Sequence, residues 1–224
     1  MIRIFFIGYF LLVYCSLFSQ PNYVNEDGGT LQMGNLDVPF LRVSETSGNK
    51  IVGSIYLNEE WEQATIVNLS NNKKIKLLAR FNAYHSEIEI LGEKEISALF
   101  TTDGIEVTLN NKSFVPLKIE KRNKAIFAEI LFKGKYNLYK VFDVKIIRAP
   151  SDAKLLNLES VDRVEILNDY YFNENGGEAV QVPKNKKSMK SVLPSNFLEI
   201  LKKEKLSLKK EEDLVTLFSL INSN

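Results

Sequence analysis

The sequence has few of the residues that build catalytic and metal centres. Its 224 residues include one cysteine, Cys15, and one histidine, His85. A Ser-His-Asp triad would have to use His85, which lies in residues 82–86, a stretch typical of a turn between strands, so we interpret it as an exposed turn histidine. Zinc sites usually take three or four Cys or His ligands. The sequence therefore predicts no zinc and no histidine-based nucleophile.

Motifs for other cofactors are also lacking. The glycine pairs at residues 28–29 and 176–177 do not follow a strand and open a helix, as a phosphate-binding loop requires. The acidic stretches at residues 25–28 and 169–175 lack the ligand spacing of an EF-hand calcium loop. We therefore expect no cofactor, no metal and no enzymatic activity.

The first 19 residues have the pattern of a secretion signal. Arg3 is their only charge and precedes an apolar run from Ile4 to Leu12. A membrane-spanning helix needs about 20 apolar residues, whereas a signal needs only about 7 to 15. We predict that residues 1–19 are cleaved after Ser19 and that the protein is exported to the periplasm, the cell surface or the medium. Lipidation at Cys15 is the alternative, disfavoured by Tyr14, where the lipoprotein peptidase prefers a small residue.

Removal of the signal leaves a neutral chain without cysteine. It takes away Arg3, one of 29 basic residues, and none of the 28 acidic residues. Disulfides are then excluded, and a domain of this size has to be stable through its core alone. No long apolar run follows residue 19, so no further membrane-spanning helix is expected.

The remaining chain is predicted to be one β-rich domain. Residues 20–37 are rich in Asn, Gly and acids and predict a flexible leader. From Val38 to about Ile147, short segments alternate apolar and polar residues, as at residues 87–90 and 105–109, and turn clusters separate them. No helical segments of 10 to 15 residues intervene, which favours an antiparallel meander with a curved sheet over a parallel α/β sheet.

The pattern becomes helical towards the end of the sequence. Pro194 and Ser195 mark a helix entry, and residues 214, 217, 218 and 221 are apolar at helical spacing. We predict two short amphipathic helices within about 188–222 that pack on the sheet. The fold class is therefore mainly β, α+β overall, in a single domain spanning 38–224.

Several short motifs together resemble a group of exported proteins of Bacteroidota. They are Gly53-Ser54-Ile55-Tyr56-Leu57, Glu60-Trp61, Arg80-Phe81-Asn82-Ala83-Tyr84, Asp169-Tyr170-Tyr171 and the terminal helical pair. The resemblance covers nearly the whole mature chain and implies export and a similar fold. It implies no activity and no catalytic residue. The chain departs from the pattern at Ile55, where the group often has proline.

One candidate site surrounds the sole tryptophan. Trp61 is flanked by Glu59, Glu60 and Glu62, and two carboxylates beside an aromatic ring are the residues that a glycan-cleaving site uses. The alternative interpretation is a strand-entry loop whose tryptophan packs at the edge of the core. Glu60 and Trp61 are the candidate binding residues here.

The second candidate site is a basic stretch. Residues 184–210 contain nine lysines and only two acids, Glu199 and Glu204. Lys202, Lys203 and Lys205 are the candidate binding residues, for weak contact with an anionic membrane or polysaccharide. A solvated helix face is the alternative interpretation. Nucleic acid is not expected, because the stretch has no arginine and almost no aromatic residues.

The sequence leaves three functional hypotheses. The first is a non-catalytic exported envelope protein that acts as a binding or assembly component, with another envelope protein as partner. The second is a carrier whose curved sheet surrounds a small apolar ligand with aromatic side chains, namely Phe114, Phe127, Phe132, Tyr136, Tyr139 and Phe142. The third is a hydrolase that cleaves glycans with carboxylates near Trp61.

Overall fold

The computed structural model describes residues 28–33, 36–42, 51–93, 95–120, 122–148, 161–184 and 186–223. The predicted signal peptide, with Cys15 and the cleavage site at Ser19, lies outside the described residues, as do residues 20–27 of the predicted leader.

One large sheet contains the described strands. In chain order these are Gly28–Met33 (β1), Leu36–Arg42 (β2), Ile51–Val52 (β3), Glu62–Asn68 (β4), Lys73–Asn82 (β5), Glu87–Leu91 (β6), Ile96–Leu99 (β7), Ile105–Leu109 (β8), Lys112–Leu117 (β9), Ile126–Phe132 (β10), Tyr136–Ile147 (β11), Asp162–Glu174 (β12) and Val180–Gln181 (β13). The spatial order is β1-β2-β7-β6-β5-β4-β8-β9-β10-β11-β12-β13, and β3 pairs with β12.

The sheet is open and strongly curled. The pairings between its described strands are antiparallel except that of β3 with β12, and an isolated parallel bridge joins Ile119 to Ala179. Although β6 and β10 are separated by four other strands, the Phe127 N–H donates to the Ser86 carbonyl at 3.0 Å, and the Ser86 hydroxyl donates to the Phe142 carbonyl at 3.3 Å. The predicted antiparallel, curved-sheet architecture is therefore confirmed.

A tight turn connects β8 to β9. Leu109 pairs with Lys112, so the loop consists of Asn110 and Asn111 alone, and both have positive φ, 50° and 59°. Two-residue hairpin loops favour this geometry because it matches the right-handed twist of the strands, and asparagine tolerates it better than most residues. The turn fixes where Lys112 begins β9.

Side-chain alternation divides the apolar residues into three clusters. Along β10, Phe127 belongs to core 1, Leu131 packs on core 2, and Ala128 faces the other way into core 3. Core 1 lies within the curled sheet and is centred on Phe81, Phe114 and Phe142. Core 2 lies between the sheet and the C-terminal helices, and core 3 lies on the opposite face of the sheet.

Three short helices follow the sheet: Lys186–Val192 (α1), Ser195–Lys203 (α2) and Glu211–Asn222 (α3). The predicted helix entry at Ser195 is confirmed, and Leu214, Leu217, Phe218 and Ile221 are all buried in core 2. Asn222 ties α3 to the sheet, since its side chain exchanges hydrogen bonds with the backbone of Tyr136 at 2.9 and 3.0 Å. The structure adds α1 to the two helices that were expected.

Part of the segment that was predicted to be a flexible leader is a β-strand in the structure. Residues 28–33 form β1, which pairs with β2 from Gly28↔Leu41 to Met33↔Leu36. The sequence shows no alternation there, because Gly28 and Gly29 have no side chains to reveal a period. Within the described ranges, no helix has both the length and the apolarity needed to cross a membrane.

Candidate functional site

Arg80 packs on two aromatic rings. Its guanidinium carbon lies 3.7 Å from the ring centroid of Tyr56 and 4.3 Å from that of Trp61. Tyr56 reaches this position because it forms a bridge with Asn82 at the end of β5. A guanidinium prefers such flat apolar faces because it is weakly hydrated and planar. Contact with both rings, together with a hydrogen bond from Nη2 to the Tyr56 hydroxyl at 2.8 Å, therefore fixes the direction of the Arg80 side chain.

The charge of Arg80 is balanced by a buried carboxylate. Glu89 is opposite Arg80 across β5 and β6, and its side chain is 2% exposed. Arg80 Nη2 and Nε lie 2.8 and 2.9 Å from Glu89 Oε2, and Asn82 Nδ2 donates to Oε1 at 2.8 Å. Both carboxylate oxygens are thus satisfied, as a buried charge requires. Together Arg80, Glu89 and Asn82 form a rigid polar anchor.

An open cavity, called the notch below, lies beside this anchor. Its volume is about 150 Å³, and it is lined by Leu57, Asn58, Glu60, Glu62, Arg80, Phe81, Leu109, Asn110, Lys112 and Phe114. The apolar side chains belong to or pack on core 1. The polar side chains come from β5, from the entry segment at residues 57–62, and from the β8–β9 turn. The notch therefore has an apolar floor and a polar rim.

The entry segment supplies carboxylates to the rim. Asn58 organises it: its Nδ2 donates to Glu62 Oε1 at 2.7 Å, and its Oδ1 accepts from the Glu60 N–H at 3.2 Å. Glu60 itself is exposed. Glu59 is also exposed but does not line the notch. Backbone bonds from the Leu57 N–H to Phe81 and from the Ala83 N–H to Ile55 fasten the segment to β5.

The β8–β9 hairpin supplies an ammonium group, that of Lys112 at the start of β9. Lys112 lines the notch, and its Nζ lies 3.0 Å from Glu129 Oε2. Its side chain is 39% exposed, whereas that of Glu129 is 10% exposed. The rim of the notch therefore carries carboxylates on one segment and a cation on another.

Lys112 also begins a row of charged groups that runs between core 1 and core 2. Glu129 is opposite Lys140 across β10 and β11, and Lys140 is opposite Tyr170 across β11 and β12. Glu211 of α3 completes the row, because its Oε2 lies 2.8 Å from Lys140 Nζ and accepts a hydrogen bond from the Tyr170 hydroxyl at 2.9 Å. The row fastens α3 to the sheet.

Two groups of the row have shifted pKa values. Burial acts to raise the pKa of Glu211, but hydrogen bonds from Lys140 and Tyr170 outweigh it, so the pKa lies below its ordinary value of 4.5. Burial is the main cause that raises the pKa of Tyr170, and the neighbouring Glu211 carboxylate adds to it. Glu211 therefore stays ionised and Tyr170 stays neutral at pH 7.

The residues predicted to bind occupy different places. Glu60 lines the notch, whereas Trp61 packs on Arg80 and does not line it. Lys202, Lys203 and Lys205 are exposed around the end of α2 and do not line the notch either. Lys203 Nζ lies 3.7 Å from Glu204 Oε1. The two predicted sites are thus not parts of one site.

Sequence reasoning missed Arg80, Glu89 and Lys112. The alternation of charged and apolar residues at 87–90 is typical of a half-buried strand, but Ile88, Glu89 and Ile90 are all buried. Both faces of β6 are covered because the sheet curls, and Arg80 on the neighbouring strand compensates the charge. The sequence feature that could have indicated the Arg80–Glu89 pair was the presence of opposite charges on adjacent predicted strands.

The six aromatic residues proposed to surround an apolar ligand do not share one cavity. Phe114, Phe127 and Phe142 belong to core 1, Phe132 and Tyr136 pack on core 2, and Tyr139 belongs to core 3. In core 1 the rings touch each other: the centroids of Phe81 and Phe114 are 4.8 Å apart. These side chains fill the interior.

No protein-family model matches the chain, and neither a curated protein nor a solved structure is detectably similar to it. Among the residues that the structure describes, no group of three or more His, Cys, Asp or Glu side chains is placed to hold a metal ion. Fold and site together define a curled antiparallel β protein with a small notch whose rim carries both signs of charge.

Proposed function

We propose that the protein is a non-catalytic exported binding protein of the cell envelope and that the notch is its ligand site. The observation that carries the proposal is the rigid anchor beside the notch. Arg80 is fixed by two rings and a buried carboxylate, and the entry segment is fixed by Asn58 and by backbone bonds to β5. Such a preformed rim lowers the entropy cost of binding.

The hydrogen bonds of the rim favour recognition over hydrolysis. A glycosidase needs two carboxylates on opposite sides of a cleft that is large enough for a sugar. Here Glu62 accepts a hydrogen bond from Asn58, and the notch of about 150 Å³ is smaller than a typical substrate pocket of roughly 300 to 1,000 Å³. The packing of the aromatic rings against each other likewise gives the apolar-carrier hypothesis less support.

A matched pair of variants tests the notch as the binding site. Glu60→Trp places a large side chain on the rim, and Glu59→Trp places the same side chain on the exposed neighbour that does not line the notch. We expect protein purified from its natural type of host to retain a companion molecule, detected by native mass spectrometry. Glu60→Trp should lose this companion and Glu59→Trp should keep it.

Two results would contradict the proposal. Equal retention by both variants would place binding elsewhere, and turnover of a glycan, peptide or ester by the isolated domain would make the protein an enzyme.

Export is tested separately, through the N-terminus. The charged start, the apolar run and the small residue Ser19 support cleavage by a signal peptidase. Cell fractionation with intact-mass measurement should find a chain that begins at Gln20 outside the cytoplasm. A full-length chain in the cytoplasm would refute export. A chain that begins at a diacylated Cys15 would show that the protein is a lipoprotein.

A further inference from the structure

We infer that the notch takes a zwitterion of the size of one amino acid, which binds through both its ammonium and its carboxylate group. This inference rests on the proposed function, because it names the ligand class of the same site. It is drawn from the distribution of charge on the rim, from the hydrogen-bonding groups that remain unused, and from the size and floor of the cavity.

The two signs of charge come from separate parts of the rim. Glu60 and Glu62 belong to the entry segment, and Lys112 belongs to the β8–β9 hairpin. Arg80 lies on β5, and its partner Glu89 is buried on the neighbouring strand β6. A ligand with one charge would meet a like charge somewhere on this rim, which costs free energy at short range. A ligand with both charges can meet an opposite charge at each end.

The rim groups have capacity left for such a ligand. The Lys112 ammonium has three donors, and among the described residues it bonds to Glu129 with one of them. The Glu62 carboxylate accepts one hydrogen bond, from Asn58 at Oε1. Within the described part of the chain, the Glu60 carboxylate has no side-chain partner. The carboxylate of the ligand can therefore accept from the unused donors of Lys112, and its ammonium group can donate to the Glu60 and Glu62 carboxylates. Neither contact displaces an existing hydrogen bond.

Size and floor limit the rest of the ligand. The notch has a volume of about 150 Å³, well below the roughly 300 to 1,000 Å³ of sites for larger molecules. Leu57, Phe81, Leu109 and Phe114 provide its apolar lining. A small apolar side chain fits this floor, so the expected ligand is an amino acid such as alanine or leucine.

Titration calorimetry with L-alanine, L-leucine and two blocked leucines tests the inference. N-acetyl-L-leucine lacks the ammonium group and L-leucinamide lacks the carboxylate. We expect at least one of the free amino acids to bind, and each blocked leucine to bind at least about tenfold more weakly than L-leucine, because removal of a charged group leaves rim groups without a partner.

Charge-specific variants assign each end of the ligand. The double variant Glu60→Gln/Glu62→Gln should weaken binding of leucine and leucinamide at least fivefold. Lys112→Met combined with Glu129→Gln, which avoids an unpaired carboxylate, should weaken binding of leucine and N-acetyl-leucine. Glu59→Gln is the matched control and should bind leucine as the wild type does. Unchanged melting temperatures confirm that the variants are folded.

The inference fails if neither amino acid binds, or if leucine, leucinamide and N-acetyl-leucine bind equally well. Either result is distinguishable from failure of the proposed function. A companion that Glu60→Trp loses and Glu59→Trp keeps, without any affinity for amino acids, would leave the notch as the binding site and overturn only the ligand class.

Discussion

At the scale of single residues, Arg80 and Glu89 form an ion pair whose carboxylate is buried. Arg80→Met should lower the free energy of unfolding by about 3 to 5 kcal/mol, because it leaves the Glu89 carboxylate buried with only Asn82 as partner. Urea denaturation monitored by circular dichroism measures this loss.

Two controls accompany Arg80→Met. The double variant Arg80→Met/Glu89→Met removes both charges and should cost less than the single variant. Lys118→Met breaks the exposed pair with Asp103 and should cost under about 1 kcal/mol. An effect of Arg80→Met as small as that of Lys118→Met would show that the pair is not what holds this region together.

Individual side chains were the hardest feature to predict from the sequence. Glu60 was selected for its position beside Trp61 and lines the notch, but the sequence did not show that Trp61 would pack on Arg80. Tyr56, the other ring on Arg80, is positioned by its bridge with Asn82, which joins parts of the chain whose pairing has no local signature. Period-two patterning describes one strand at a time and not what lies across from it.

At the scale of elements, Glu211 at the start of α3 adds a charged contact with the sheet to the apolar packing of this helix. Glu211 is ionised by virtue of Lys140 and Tyr170, and its pKa lies below 4.5 in the folded protein. Since the folded pKa is the lower one, its contribution to stability is fully present above pH 4.5 and is lost as the pH falls through the folded pKa. The docking of α3 should therefore weaken in acid.

The comparison of wild type with Glu211→Gln checks this dependence. The difference in their free energies of unfolding should be largest above about pH 5 and shrink as the pH falls below 4.5. Glu212→Gln is the matched control, because Glu212 also lies in the first turn of α3 but is exposed. A difference for Glu211→Gln that stays constant from pH 7 to acid would contradict this role.

Elements were predicted well where their periodicity is strong. The apolar residues of α3 recur at helical spacing, and all four that the pattern identified are buried in core 2. In contrast, α1 has the sequence KKSMKSV, in which no apolar stripe is visible. β1 was missed for a similar reason, since its strand character comes from pairing with β2 rather than from its own residues.

At the scale of the whole molecule, the same strands support two cores. β10 and β11 contribute Phe127 and Phe142 to core 1 and Leu131 and Leu138 to core 2. A strand cannot lose one half of its inward face and keep the other half ordered, so we expect the cores to unfold together. Trp61, the only tryptophan, reports on the core 1 side by fluorescence, and the helical circular dichroism signal reports on core 2.

Coincident transitions of these two signals in urea are the expected result. Ile66→Val in core 1 and Ile221→Val in core 2 should each cost about 0.5 to 1.5 kcal/mol, and their effects should add within about 0.5 kcal/mol in the double variant. Loss of the helical signal before the fluorescence change would show that the helices form a separate unit.

The pairing of β3 with β12 sets the order in which the molecule can be assembled. Ile51 and Asp162 are aligned in neighbouring strands although they are more than a hundred residues apart in the chain, and contacts of such long range form late and slowly. The notch does not need this pairing, because its lining residues all lie between Leu57 and Phe114 and the entry segment is fastened to β5. A nascent chain that lacks β12 would therefore already contain every residue that lines the notch, whereas β3 would stay unpaired until β12 has been synthesised.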